Sequence, residues 1–120
     1  MGTLQYYKGT IASNTKIQMS IELEGVQMKG SFIYEESGEV MVLVGGIGES
    51  SQSVILDVIN DKDVNIAQIR ANYYTNELEE IIAIKGGIFD LRTNKRQLIN
   101  LQKVAEFVAR NGNIKQGLYE

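Results

Sequence analysis

In KIQMSIEL, residues 16 to 23, Ile17, Met19, Ile21 and Leu23 alternate with Lys16, Gln18, Ser20 and Glu22. Successive side chains of a strand point to opposite faces, so this period of two predicts a half-buried strand. The next stretch, VQMKGSFIY, sets Val26, Met28, Phe32 and Tyr34 against Gln27, Lys29 and Ser31, with Glu24-Gly25 as the expected tight turn. YYKGTIA precedes them, turning at SNT (13–15). EVMVLVGGI follows EESG, SVILDVIN follows GESSQ, IAQIRANYY follows NDKDVN, IIAIKGGIFDL follows NELEE, and QLINLQKV follows RTNK. Each connector is short and rich in turn formers, and none has room for a crossover helix. The expectation is a mostly β fold, an up-and-down antiparallel meander of about eight strands.

Glycine recurs inside these strands, at Gly9, Gly30, Gly45-Gly46 and Gly86-Gly87. Interior glycine marks a bulge or bend, and bends repeated across a sheet curl it into a barrel or clamshell. Two segments also fit a helical period. Val54, Ile55, Val58 and Ile59 would share a helical face, but the run is short and β-branched, so strand is favoured. In LQKVAEFVARNG, Leu101, Val104, Ala105 and Val108 form a stripe ending at Asn111-Gly112. A last strand near Leu98 to Val104 is expected, then a short C-terminal helix of one or two turns and a loosely held tail from Asn113.

With 120 residues, positions 1–120 make one domain able to bury its own core. No apolar run approaches the roughly 20 residues of a membrane-spanning helix, so no membrane span is expected. The chain has no Cys and no His. That removes disulfides, thiolate metal sites and histidine-activated nucleophiles, so the reading is not an enzyme, with no catalytic residue, no metal and no cofactor. A net charge of -3 and a pI near 5.0 favour a basic protein partner over nucleic acid. The N-terminus has no secretory pattern, which reads as cytoplasmic, or as periplasmic if a signal peptide has been removed.

Two loops imitate ligand motifs and fail them. VGGIGESS (44–51) lacks the third glycine and following helix of a dinucleotide site and the Lys-Ser or Lys-Thr of a P-loop. NDKDVN (60–65) lacks the glycine and the terminal glutamate of a calcium loop. Asp57 interrupts an apolar run and has two readings: an outward residue on a partly covered face, or a carboxylate in a cavity partnered by Arg70 or Arg92. The pairs Tyr6-Tyr7 and Tyr73-Tyr74 should each send one ring in and one out. The outer ring of the second pair, beside Glu77, Glu79 and Glu80, is the expected partner-binding patch, because tyrosine anchors and acidic rims suit basic partners. Glu35 and Glu36 extend that patch if their hairpin tip lies at the same end.

Tyr7-Lys8-Gly9-Thr10-Ile11, Ile17-Gln18-Met19-Ser20-Ile21 and Gly30-Ser31-Phe32-Ile33-Tyr34 resemble the opening strands of small bacterial β-meander domains of the lipoprotein-like and toxin-immunity type. Lys85-Gly86-Gly87-Ile88-Phe89 followed by Leu98 to Val104 resembles their closing pair. Ile88 stands where an aromatic is commoner, and Asp57 where glutamate is. The resemblance implies a calycin-like barrel or clamshell without catalytic machinery, and an immunity protein that binds and blocks a toxin such as a basic nuclease. The alternatives are a carrier of a small apolar ligand inside the barrel, and a periplasmic lipoprotein accessory domain.

Overall fold

The structure, a computed structural model, describes residues 3–48 and 52–104. Eight strands follow in order: β1 (Thr3–Ile11), β2 (Thr15–Glu24), β3 (Gln27–Tyr34), β4 (Val40–Ile47), β5 (Ser53–Ile59), β6 (Asn65–Thr75), β7 (Ile81–Asp90) and β8 (Lys95–Val104). Each pairs antiparallel with the next, and β8 returns to β1, so the sheet is a closed barrel. Closure satisfies the backbone of every strand and removes the exposed edges that an open meander would present. SVILDVIN is strand, as its β-branched composition argues. The proposed C-terminal helix from Ala105 lies outside the described residues.

The alternating pattern becomes the inside and outside of the barrel. Ile17, Met19 and Ile21 of β2 point inward with Tyr7, Met28, Phe32, Leu43, Leu56, Ile69, Ile84 and Leu101, all nearly inaccessible to solvent. An eight-stranded barrel is just wide enough for side chains of this size to fill. That filling weighs against the reading of a carrier with an apolar ligand held inside.

Glycine makes the tight closure possible. A Cβ on Gly30 would overlap the Ser20 carbonyl of β2, and one on Gly9 would overlap the Asn100 carbonyl of β8. Backbones approach there more closely than any side chain allows, which is how the interior glycines produce the expected curvature. One turn sits a residue later than expected. Glu24 pairs with Gln27, leaving Gly25 and Val26 as the two central residues, with Gly25 at φ 65°. Glycine at the first of two such positions suits a primed hairpin turn. Val26 is consequently exposed in the turn and does not join Met28 and Phe32 inside.

In an up-and-down barrel, connections alternate between ends. The β1–β2, β3–β4, β5–β6 and β7–β8 loops share one end, here called the upper end, and the β2–β3, β4–β5 and β6–β7 loops share the lower. Three loops are organised by one side chain each. Asn60 Oδ1 accepts the N–H groups of Lys62 and Val64, and Asn76 Oδ1 accepts those of Leu78 and Glu80. Asp90 Oδ1 accepts those of Arg92 and Thr93. An amide or carboxylate oxygen replaces absent backbone acceptors in this way at tight turns.

Candidate functional site: the upper mouth of the barrel

The upper loops surround an open cup of about 1160 Å³ lined by Lys16, Tyr34, Glu35, Glu36, Glu39, Met41, Asn60, Ile66 and Arg92, among others. Mouths of β-barrels are favoured places for binding because rigid strands position loop side chains around a concave floor. The floor here is apolar: Met41 is buried, and Tyr34 ends β3 pointing inward, its ring edge-on to Phe32 at 5.2 Å and 77°. The rim is polar and carries both signs of charge, Glu35, Glu36 and Glu39 with Lys16 and Arg92.

The β3–β4 loop supplies the carboxylates. It is closed by Tyr34 N–H donating to the Glu39 carbonyl (2.9 Å) and Gly38 N–H donating to the Tyr34 carbonyl (2.8 Å), with Gly38 at φ 79°. Glu35 turns back toward the wall. Its Oε2 accepts from Gln18 Nε2 at 3.2 Å and pairs with Lys8 Nζ at 3.6 Å. Gln18 is only 5% exposed although it lies on the outward face, and its Oε1 has no hydrogen-bond partner among the described residues. Glu36 and Glu39 stay exposed at the rim.

Across the cup, Asp90 orders the β7–β8 loop and holds Arg92, whose Nη2 lies 3.3 Å from Asp90 Oδ2. Hydrogen bonds from the Arg92 side chain and backbone keep the Asp90 carboxyl below the usual carboxylate range. Burial raises the Tyr34 phenol above its usual value, with Glu39 and Asp90 reinforcing the rise and Arg92 opposing it. Tyr34 is therefore a neutral hydroxyl at physiological pH, a donor and acceptor between an apolar floor and a charged rim.

The lower end holds the other half of the expected patch, and the two do not meet. Glu35 and Glu36 lie on the third connection and Glu77, Glu79 and Glu80 on the sixth, so they occupy opposite ends of the barrel. The single extended acidic face is thus overturned. The tyrosine pairs divide as their alternation requires: Tyr7 is buried, Tyr73 is half-buried against the core, and Tyr74 is 47% exposed. The Lys85 ammonium lies over the Tyr74 ring at 5.7 Å. Glu80 is bound to Asn76 (3.0 Å) and Lys103 (3.6 Å), and these contacts lower its carboxyl pKa. Glu77 and Glu79 are exposed at the tip. Inside, the Tyr7 hydroxyl donates to the Ile81 carbonyl at 2.9 Å, and burial, reinforced by Glu80, pushes its phenol up to about 12.

Asp57 takes its outward reading. Val54, Leu56 and Val58 face the core, while Asp57 points out and accepts from Gln68 Nε2 at 3.1 Å. Arg70 reaches it only through Gln68, its Nε donating to Gln68 Oε1 at 2.6 Å. The inward cavity proposed for Asp57 and Arg70 is not formed, because both occupy outward positions. Arg92, the other suggested partner, belongs to the upper mouth.

Among the described residues, no group of three His, Cys, Asp or Glu side chains is placed to hold a metal ion, and no helix is long and apolar enough to cross a membrane. Compared with protein-family models, curated proteins and solved structures, the chain gives no match. The functional reading therefore rests on the site's own chemistry.

Proposed function

We propose a non-enzymatic binding protein that receives a basic protein segment at the upper mouth of the barrel. The observation that carries this reading is the pairing of Tyr34 and Met41 on the floor with exposed Glu36 and Glu39 on the rim. An aromatic and an aliphatic surface inside a charged ring suits a Lys or Arg side chain, whose stem packs on apolar atoms while its head meets carboxylates. The acidic net charge favours rapid encounter with such a partner. The concrete form implied by the sequence resemblance is an immunity protein blocking a basic toxin, such as a nuclease.

Co-purification and calorimetry with the product of any adjoining toxin gene test the reading. Glu36→Gln with Glu39→Gln should weaken binding about tenfold, mainly through slower association that added salt erases. Glu77→Gln with Glu79→Gln, at the lower end, should leave affinity unchanged. If the lower pair weakens binding and the upper pair does not, the lower patch is the contact surface. If no adjoining toxin binds, the immunity assignment fails.

A further inference from the structure

The outer wall formed by β6, β7 and β8 carries a charge opposite to that of the whole molecule. In the register of these strands, Asp90 is the only carboxylate, and it sits in an inward position at the upper end. The outward positions include Arg70, Lys85 and Arg96, all exposed, and none forms an ion pair with a carboxylate among the described residues. On a chain of net charge -3, three cations gathered on strands without an outward carboxylate form a local basic field, bordered on the β5 side by Asp57, which Gln68 links to Arg70.

The cations are held in place. Phe89 pairs across the wall with Gln68 on one side and Arg96 on the other. The Arg70 guanidinium lies 5.4 Å from the Phe89 ring centre and that of Arg96 lies 5.8 Å from it. Gly87 makes this possible: a Cβ there would meet the Arg96 guanidinium, which lies over the bare backbone. Two guanidiniums are thus presented on one ring, and less freedom is lost when they grip a carboxylate. Leu98, 61% exposed, lies beside Gly87 in the next row, and Tyr74 carries Lys85 farther down the wall.

We infer that this wall is a second interaction surface, distinct from the upper mouth, and that its occupant is an acidic polypeptide segment carrying carboxylates beside apolar side chains. Arginine and tyrosine on strands without an outward Asp or Glu match the composition of protein interface centres, and exposed Leu98 adds apolar surface beside them. A single-stranded polynucleotide fits less well. It needs open aromatic faces for successive bases, whereas the Phe89 ring carries the Arg70 and Arg96 guanidiniums.

Fluorescence anisotropy of the full chain with three labelled twelve-residue probes tests the inference. One probe is a peptide alternating Glu with Leu, one is the same peptide with Lys for Glu, and one is an oligothymidylate. The Glu-Leu peptide should bind saturably and the Lys-Leu peptide should not bind at this wall. Arg70→Gln with Arg96→Gln should weaken the Glu-Leu complex about tenfold or more, and Gly87→Ala should weaken it while leaving the charge unchanged. Glu36→Gln with Glu39→Gln should have no effect, which separates this wall from the mouth. Circular dichroism establishes that each variant keeps the barrel. The inference is overturned if folded Arg70→Gln/Arg96→Gln protein binds the acidic peptide as tightly as the parent. It is equally overturned if the oligothymidylate binds more tightly than the peptide and loses that binding in the same variant.

Discussion

Tyr7 shows how one buried polar group couples the core to the lower loop. Its hydroxyl donates to the Ile81 carbonyl, so Tyr7→Phe should cost about 1–2 kcal/mol in urea denaturation, by leaving that acceptor unpaired. The phenol also sets a pH limit. Its pKa is about 12 in the folded protein and about 10 in an unfolded chain. The folded state therefore favours the protonated form. The associated stability is fully present below about pH 10 and falls away as pH rises toward 12. Alkaline unfolding followed by circular dichroism should lose part of its pH dependence in Tyr7→Phe. At the opposite steric extreme, Gly30→Ala should destabilise by about 2–4 kcal/mol, because its methyl group would overlap the Ser20 carbonyl. Gly38→Ala meets no atom within 4 Å and bears only the strain of φ 79°, so its cost should be nearer 1 kcal/mol.

Among the elements, the loops divide by what holds them. The Asn60 and Asn76 loops share a construction: one Oδ1 accepts two backbone N–H groups, and the residue three places on, Asp63 or Glu79, has φ 65°. Asn60→Ala should cost about 1–2 kcal/mol, whereas Asn60→Asp keeps the acceptor and should cost much less, as equilibrium urea titration would show. The two loops face different ends, so each has its own surroundings. The acidic run after Asn76 has a structural role at Glu80, which meets Lys103, while Glu77 and Glu79 remain in water. Composition made NELEE look like one patch; neighbours on β8 divided it. The turn character of these segments is legible because Asn, Asp and Gly have local reasons to be there. The lysine partners of Glu80 and Glu35, Lys103 and Lys8, are not legible, since both come from strands distant in sequence.

For the whole molecule, closure is the controlling fact. β1 and β8 complete the ring at Gly9 opposite Leu101 and Ile11 opposite Ile99. Gly9→Val should prevent that approach and create two free edges at once, costing stability and promoting association between molecules. Light scattering on heating, compared with the parent, checks this. Closure with alternating loops also separates the surface into an upper mouth with a charged rim, a lower loop cluster and a side wall bearing Arg70, Lys85 and Arg96.

Much of this architecture was readable from residue order alone. Alternation identified the strands, glycine marked the curvature, and short connectors required antiparallel neighbours, because each of these signals acts over a few residues. Even the separation of Glu35 and Glu36 from Glu77 and Glu79 follows from counting connections in a meander. That Asp90 is the one carboxylate within the last three strands is equally visible in the sequence, but which face those strands present is not. Tertiary structure alone decided which side chains meet. It drew Arg70 and Arg96 onto Phe89, turned Asp57 outward to Gln68, and made Tyr34 the floor of a mouth. Those contacts depend on register across strands and on closure of the ring, which join residues far apart in the chain and leave no local signature in its pattern.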